Sequence, residues 1–328
     1  MTGATGRGSA IMAVGAYRPP TVGSDEAARK SGVDRDWIVS RTGVETRCEA
    51  GPLESVVVMA TTAAMTALRG ANMRASAMDA VVVATSTNPQ PCPAVAPQVA
   101  AKLGLTVAAF DVNIACAGFC YALQVARSLI ASGDCGNVLV IGADRMLDIV
   151  DPADRATGPV FADGAGAVVL TAVTGATGVG PVVWGSAGAR AAALEVRPTQ
   201  FEAAANPGLP APTLRMDGLA ITRWACATVP KVVREVLSVT GLEWNDVAAL
   251  VTHQANWRLI KKLAAILEVP EKVVVADDVR MTGNTSSASV PLALHRIIAD
   301  GQAHSGQWAV LVGFGAGLAY AGQAVRIP

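Results

Sequence analysis

The sequence predicts an α/β fold made of two similar halves, and three features of the 328-residue chain support this prediction. Strand-length apolar runs alternate with helix-like segments, as in "MDAVVVATST" followed by "AVAPQVAAKLGL". Asp79 and Asp246 begin similar strand-like runs 167 residues apart. Two helix-like segments end at Gly133 and Gly301, 168 residues apart, each with a glycine suited to a left-handed helix end. A duplicated unit with internal pseudo-twofold symmetry explains these repeats.

The elements of the first half, residues 1–172, follow in a regular order. "ESVVVMATTAAMTALRGA" predicts a helix and "MDAVVVATST" a strand, "AVAPQVAAKLGL" and "VAAFDVNI" repeat that pair, and an apolar helix leads to the strand "NVLVIGAD". The second half, residues 173–328, has the same order: "ACATVPKVVREVLSVTG", "NDVAALVTHQ", "NWRLIKKLAAILEV", "EKVVVADDV" and a final helix and strand. The strands are almost continuously apolar, which predicts burial on both faces.

The composition excludes several classes of function. Lys plus Arg (26) equals Asp plus Glu (26), and only 4% of residues are aromatic, so neither a basic surface nor a stacking platform for nucleic acid is expected. The apolar runs are strand-length, and none approaches the roughly 18 residues of a membrane span. The N-terminal segment lacks the regions of a signal peptide. We therefore expect a cytoplasmic protein that binds neither nucleic acid nor membrane.

Cysteine usage predicts reduced thiols and no metal site. The six cysteines form no CxxC pair, and only three histidines are available as partners. Cys116 and Cys120 share one helical face, but no histidine or second thiol pair lies nearby in sequence to complete a zinc site.

Cys116 lies where a strand-like run turns into an apolar helix, in "DVNIACAGFCYALQVARSLIASG". The N-terminus of a helix favours the thiolate, and the small neighbours in "ACAG" allow an acyl group to approach. A cysteine taken at random is more often a small hydrophobic core residue, and Cys120, Cys135 and Cys226 are interpreted in that way. For Cys116 the position at the joint favours a nucleophile.

His253 and Asn284 are the expected partners of this cysteine. His253 directly follows the strand-like "AALVT", and functional residues gather beyond the carboxyl ends of such strands. Adding the offset of 168 to Cys116 gives Asn284 in "GNTSSAS", so the two helix entrances correspond and the three residues are expected in one pocket. Alone, the histidine would be interpreted as structural and the asparagine as a turn residue.

Six motifs follow one another along nearly the whole chain: "DWIVSRTGV", "DVNIACAGF", "DPADRATGPVFADGAGAVVL", "HQAN", "GNTSSASVP" and "GFGAGLAY". Together they resemble the β-ketoacyl-acyl-carrier-protein synthase III family, the ketosynthases that start fatty acid and some polyketide chains. The resemblance implies a thiolase fold, in which two βαβαβαββ halves form a five-layer αβαβα sandwich. It also implies a homodimer.

The resemblance implies a role for each residue of the centre. Cys116 would attack the thioester of an acyl-CoA primer, and the backbone N–H groups of Cys116 and Ala316 would form the oxyanion hole. Malonyl-acyl carrier protein would then lose CO2 while His253 and Asn284 donate hydrogen bonds to the enolate oxygen. Acyl-CoA is a substrate and no cofactor is expected. An amide at position 284, where acyltransferase relatives carry an acid, favours condensation over simple acyl transfer.

The same resemblance implies where the two carriers bind. Trp37 and Arg155 would enclose the adenine of CoA, Arg41 would lie near the phosphates, and Asn256 would also bind CoA. A basic stretch in "NWRLIKKL" would meet the acidic carrier protein, although a solvated helix face is the alternative; it comprises Arg258, Lys261 and Lys262.

Two departures from the family pattern predict an enlarged acyl pocket. Cys92 stands where family members often carry a bulky aromatic that crosses the dimer, and Thr222 stands where phenylalanine is common. Both residues are smaller, so we expect a primer that is longer or more branched than acetyl.

Rival interpretations remain at this stage. A papain-like protease also uses Cys, His and Asn, but the duplicated α/β pattern argues against its unlike domains. A thiolase-fold acyltransferase without condensation and a non-catalytic acyl-binding relative both retain the fold. Within the ketosynthase interpretation, fatty acid and polyketide pathways are equally compatible with the sequence.

Overall fold

The structure is a computed structural model that describes residues 7–175 and 177–328. The strands are β1 (Gly8–Tyr17), β2 (Thr21–Gly23), β3 (Thr46–Cys48), β4 (Ala80–Ala84), β5 (Ala108–Val112), β6 (Asn137–Arg145), β7 (Asp163–Val173), β8 (Val183–Ser186), β9 (Leu194–Arg197), β10 (Thr213–Met216), β11 (Val247–Thr252), β12 (Val274–Val275), β13 (Trp308–Gly315) and β14 (Ala319–Arg326). The helices are α1 (Ser24–Ser31), α2 (Arg35–Thr42), α3 (Val56–Gly70), α4 (Val95–Lys102), α5 (Gly118–Ser132), α6 (Gln200–Ala205), α7 (Gly218–Thr240), α8 (Trp257–Ile266), α9 (Val279–Thr282) and α10 (Ser289–Ala299). The first six residues, part of the predicted leaderless N-terminus, lie outside the described residues.

The two main sheets repeat the same topology. One has the order β1-β7-β6-β4-β5, and the other, read from its opposite edge, has the order β8-β14-β13-β11-β12. In each, the third, fourth and fifth strands pair in parallel and the first two pair antiparallel. The duplicated βαβαβαββ pattern is therefore confirmed. The boundary between residues 172 and 173 stays a prediction; β7 ends at Val173.

Helices and sheets form five layers, as predicted. The outer helices α3 and α4 cover the first sheet with small residues, including Ala60, Ala63 and Ala64, which allow close approach. Helices α7 and α8 cover the second sheet. Between the sheets lie α5 and α10, packed against strands of both halves in one continuous core.

Helix α5, together with the turn before it, forms a longer apolar segment than the sequence analysis predicted. The window Ala115–Ser132 has the length and composition to cross a membrane, and it is the one such helix among residues 7–175 and 177–328. More than half of this window (56%) is buried inside the fold, because α5 has a sheet on either side. A helix buried in the core of a protein has the same length and apolar composition, so these two properties do not by themselves indicate a membrane span.

Each central helix begins with a short 3₁₀ turn. These turns are Ala115–Ala117 before α5 and Ser286–Ala288 before α10, 171 residues apart. Each opens with a left-handed residue other than glycine, Ala115 with φ +42° and Ser286 with φ +52°. The two helix entrances do correspond, but the predicted match of Cys116 with Asn284 was wrong. Ser287 occupies the equivalent position.

The two turns are held by reciprocal glycines. A Cβ atom at Gly142 of β6 would lie 2.4 Å from the carbonyl oxygen of Ser287, and one at Gly313 of β13 would lie 3.0 Å from the Cα of Ala117. In each half, a glycine in a strand leaves room for the 3₁₀ turn that begins the central helix of the other half.

Replacement of Gly142 by alanine should destabilise the protein. The added methyl group meets backbone, which cannot rotate away, so we expect the free energy of unfolding to fall by about 1–3 kcal/mol. Gly188→Ala is the matched control, because no atom lies within 4 Å of a Cβ there. Urea unfolding of both variants measures the effect; equal midpoints would contradict the reciprocal contact.

Candidate active site

Cys116 is buried in the 3₁₀ turn that leads into α5, with 4% of its surface exposed. The end of β13 passes directly beside it. A Cβ at Gly315 would lie 2.7 Å from the Cβ of Cys116 and 3.1 Å from its Sγ. The glycine therefore leaves the space in which the sulfur sits. Ala316, the predicted second oxyanion donor, follows in the turn between β13 and β14.

His253 follows the last residue of β11, as predicted. Its backbone N–H donates to Val312 of the neighbouring strand at 2.6 Å. Its Nδ1 lies 2.7 Å from the Oγ of Ser289, the first residue of α10. That oxygen also accepts the N–H of Gln254 at 3.3 Å, and its remaining proton can be donated to Nδ1 when the ring is in the Nε2–H tautomer. In that tautomer Nε2–H is the donor on the other side of the ring.

Asn284 is fixed by the first half of the chain. Its backbone N–H donates to Val160 and its carbonyl accepts from Ala162, both at 2.9 Å. The side-chain Oδ1 accepts the N–H of Ser286 at 3.0 Å, which assigns the orientation of the amide; within residues 7–175 and 177–328, Nδ2 makes no hydrogen bond. The preceding Gly283 has φ +74°, so a side chain at that position would be strained.

One cavity brings the three residues together. Cys116, His253 and Asn284 all line it, although they come from three separate segments of the chain. The remaining wall is mostly apolar and includes Val160, Phe161, Leu194, Met216, Ile221, Leu259 and Phe314. Phe314 meets the His253 ring edge-on, with the ring centroids 5.3 Å apart. The predicted grouping of the three residues is therefore present in the structure.

A second, more open cavity adjoins the first and holds the residues predicted to bind CoA. Trp37, Arg41, Arg155 and Asn256 all line it. Asn256 lines both cavities, and its Oδ1 also accepts the N–H of Leu259 and so caps α8. Because the two cavities share six lining residues, we interpret them together as a passage from the surface to the sulfur.

The adenine stack differs in detail from the expected arrangement. The guanidinium of Arg41 lies over the Trp37 ring at 5.2 Å from its centroid. Arg155 instead donates to the carbonyl of Gly32 at 3.3 Å. The cation that lies on the indole of Trp37 is therefore Arg41, which was expected near the phosphates, and not Arg155.

The predicted docking and pocket residues divide between several places. Arg258 and Lys262 line the open cavity, whereas the ammonium of Lys261 lies over the Trp257 ring at 5.8 Å from its centroid. Thr222 lines both cavities and so stands in the passage. Cys92 is exposed and lines neither of these cavities in its own chain. The structure does not bring Cys92 and Thr222 together within one subunit.

Burial holds the nucleophile and the imidazole neutral. It raises the pKa of Cys116 to about 12; the hydrogen bond with Ser286 opposes this rise and the nearby Asp144 carboxyl adds to it. Burial also lowers the pKa of His253 to about 3. This loss of solvent opposes the thiolate that was expected at the helix N-terminus. The resting centre consists of a thiol and a neutral ring.

Over residues 7–175 and 177–328, no three His, Cys, Asp or Glu side chains are grouped so that they could hold an ion.

Comparison with known proteins identifies the family. Models of 3-oxoacyl-[acyl-carrier-protein] synthase III match residues 110–188, and models of its C-terminal part match residues 237–327. The chain is 43% identical over 320 residues to a mycobacterial beta-ketoacyl-[acyl-carrier-protein] synthase III of Mycobacterium avium, covering 97% of this chain and 95% of that protein. The chain belongs to the β-ketoacyl-acyl-carrier-protein synthase III family.

Further relatives agree with this assignment to the synthase III family. The beta-ketoacyl-[acyl-carrier-protein] synthase III 1 of Streptomyces coelicolor is 41% identical, with 97% of this chain and 96% of that protein covered. The crystal structure of the priming beta-ketosynthase from the R1128 polyketide biosynthetic pathway matches with a TM-score of 0.96 at 42% identity, over 100% of this chain and 98% of that one. The predicted thiolase fold and the predicted class, an acyl-transferring condensing enzyme that initiates fatty acid or polyketide synthesis, are confirmed.

Sequence reasoning missed several residues of the synthase III centre. Ser286 and Ser289 contact the thiol and the imidazole, and Gly315 makes room for the sulfur. The glycines of "GFGAG" did signal a close approach. The serines of "GNTSSAS" carried no such signal, because neighbouring serines in a polar run look alike until the backbone direction is known.

The neutrality of His253 has a measurable consequence. Between an unfolded-state pKa near 6.5 and the native value of about 3, the unfolded chain binds a proton that the native ring does not. Stability is therefore lost as the pH falls through that window, by up to about 1.4 kcal/mol per pH unit.

His253→Gln should remove this part of the pH dependence, so its free energy of unfolding should fall less steeply between pH 6.5 and 4. Imidazole NMR spectra of the wild type, assigned by comparison with the variant, should show one ring that does not titrate above pH 5. A His253 ring that protonates near pH 6.5 would contradict the burial argument.

Proposed function

We propose that this enzyme condenses an acyl-CoA primer with malonyl-acyl carrier protein to give a β-ketoacyl product, in the cytoplasm and without a cofactor. The observation that carries this proposal is that a buried thiol, an imidazole and a carboxamide line one cavity. The reaction consumes the two thioesters and a proton and releases CoA and CO2. Family membership supports the reaction class, and the geometry supports the role of each residue.

In the first half-reaction Cys116 Sγ attacks the thioester carbonyl of the primer. The new carbon–sulfur bond replaces the bond to CoA, and the proton of the thiol leaves with the CoA sulfur. The N–H groups of Cys116 and Ala316 stabilise the oxyanion, and each such donor is typically worth on the order of 10²–10³ in rate. Their effect is greatest where water is excluded, as it is around a residue with 4% exposure.

In the second half-reaction malonyl carrier protein loses CO2, and the resulting carbanion attacks the acyl carbon of acyl-Cys116. The bond between that carbon and Cys116 Sγ breaks, and the sulfur takes up a proton, which restores the thiol. His253 Nε2–H and Asn284 Nδ2 donate to the enolate oxygen, because the other polar atom of each side chain is already bound to protein. Both donors are neutral side chains. No carboxylate in this pair repels the negative charge that develops on the enolate oxygen. This donor pair favours condensation over transfer of the acyl group to another acceptor.

Intact-protein mass spectrometry tests the proposal. The wild type should gain the mass of the acyl group from a panel of acyl-CoAs and lose it on addition of malonyl carrier protein. Cys116→Ala should gain no acyl mass. Asn284→Asp should be acylated but should release its acyl group at least about 100-fold more slowly, because a carboxylate repels the enolate. Normal chain extension by Cys116→Ala would exclude the mechanism.

The open cavity supports proposed sites for the two carriers. CoA would lie against Trp37 and the guanidinium groups of Arg41 and Arg155, with its arm passing Asn256. Arg258 and Lys262 at the mouth of the passage would attract the acidic carrier protein, with Lys261 on the same helix. Docking there would direct both carrier arms into one passage.

A homodimer is proposed on family membership, and Cys92, which is exposed and lines neither cavity of its own chain, would then contribute to the partner's acyl pocket. Cys92→Phe should then shift primer preference toward acetyl-CoA by narrowing the partner's pocket. Thr222→Phe should instead slow every primer, because Thr222 stands in the common passage. Val239→Phe, exposed on α7 and outside both cavities, is the matched control. Competition between acetyl-CoA and longer acyl-CoAs measures the ratio; an unchanged ratio in Cys92→Phe would count against a shared pocket.

A further inference from the structure

Ser286 combines a strained backbone with complete burial. Its φ of +52° lies in the left-handed region, which residues other than glycine and asparagine rarely adopt. The residue is 0% exposed, so no contact with water accounts for a serine there. Such conformations persist only where the surrounding structure enforces them, and they cluster at functional sites.

The surrounding structure does enforce this conformation. The N–H and hydroxyl groups of the next residue, Ser287, donate to the carboxyl of Asp144 at 3.0 and 2.6 Å. The same carboxyl accepts the N–H of Ser86 at 2.8 Å and the hydroxyl of Thr87 at 2.9 Å. Gly142 closes the contact, since a side chain there would collide with the turn. The turn at Ser286 is thus fixed by the first half of the chain.

In this fixed position Ser286 contacts two residues of the proposed centre. Its backbone N–H donates to Asn284 Oδ1 at 3.0 Å. Its Oγ lies 3.5 Å from Cys116 Sγ, a distance within hydrogen-bonding range for sulfur. Among the residues that the structure describes, this is the one hydrogen bond that the hydroxyl makes. The left-handed turn therefore directs the amide group to the carboxamide and the hydroxyl to the thiol.

We propose that Ser286 is a further catalytic residue, whose hydroxyl donates a hydrogen bond to the sulfur of Cys116 as negative charge develops on it during attack. In the resting thiol the S–H group donates to Ser286 Oγ. When the thiol proton leaves, the hydroxyl turns and donates to the sulfur instead, which a serine can do because it both donates and accepts. No covalent bond of Ser286 changes. The inference rests on the proposed function, in which Cys116 is the nucleophile.

The hydroxyl should make the sulfur more reactive, because hydrogen bonds to charged groups are stronger than those between neutral groups. Ser286→Ala removes the hydroxyl but keeps a side chain in the left-handed conformation. Ser286→Gly removes the hydroxyl and also relieves the strain, so its Tm should exceed that of Ser286→Ala. A defect due to the hydroxyl is common to both variants, whereas a defect due to folding follows the Tm.

The experiment follows alkylation by iodoacetamide of the peptide that contains Cys116, between pH 7 and 9. Both Ser286 variants should react on the order of tenfold to a hundredfold more slowly than wild type at each pH, with the rate–pH curve displaced to higher pH. Ser9→Ala, a buried serine on β1, is the control and should behave as wild type. A wild-type curve in either Ser286 variant, or slowing confined to the less stable one, would overturn the inference.

Acylation by the acyl-CoA panel separates this inference from the proposed function. Alkylation shifted in both Ser286 variants, while the wild type takes up no acyl group, would contradict the proposed function alone. Acylation of the wild type with unshifted alkylation in the variants would contradict only the role of Ser286. Slower acylation together with slower alkylation in both variants is the result that supports both.

Discussion

The two turns that begin the central helices each pack against a glycine of a strand from the other half, and these reciprocal contacts fix the position of the active-site residues. The turn before α5 lies against Gly313, and the turn before α10 lies against Gly142. Because each half of the chain supports the beginning of the other half's helix, neither entrance can move without its counterpart. Cys116 and Ser286 thereby come within 3.5 Å of each other although 170 residues separate them in sequence. The relative position of the two turns is set by backbone packed closely against these glycines, rather than by any single hydrogen bond.

The same packing determines the chemistry. A centre enclosed between two sheets loses water, and that loss keeps both the thiol and the imidazole neutral. Charge therefore develops only during reaction, at places where the protein has already oriented N–H donors. His253 and Asn284 follow one rule, since in each the protein binds one polar atom and leaves the other for the substrate. A preorganised donor does not have to reorganise when the enolate forms.

Much of the fold and the centre follows from the sequence, because strand ends and helix entrances converge in any α/β sheet. Cys116 and His253 were found in that way. The offset that linked Cys116 to Asn284 failed because the second half carries α9 in the loop before its central helix, while α10 is 11 residues long and α5 is 15. The two differences nearly cancel at the helix ends, at Gly133 and Gly301, but not at the entrances. The serines depended on a left-handed turn that no periodicity encodes.

The correct correspondence explains why the duplicated fold has one centre and not two. Cys116 is equivalent to Ser287, and the residue that faces each of them is Gly315 in one case and Asp144 in the other. At the first entrance a sulfur faces a glycine, and the space left beside it opens into the passage. At the second entrance a hydroxyl faces a carboxyl group, which also accepts hydrogen bonds from the residues that follow β4. That space is filled with satisfied polar groups and admits no substrate. One half of the duplication therefore supplies the nucleophile, and the equivalent site in the other half holds the turn that carries Ser286 beside it.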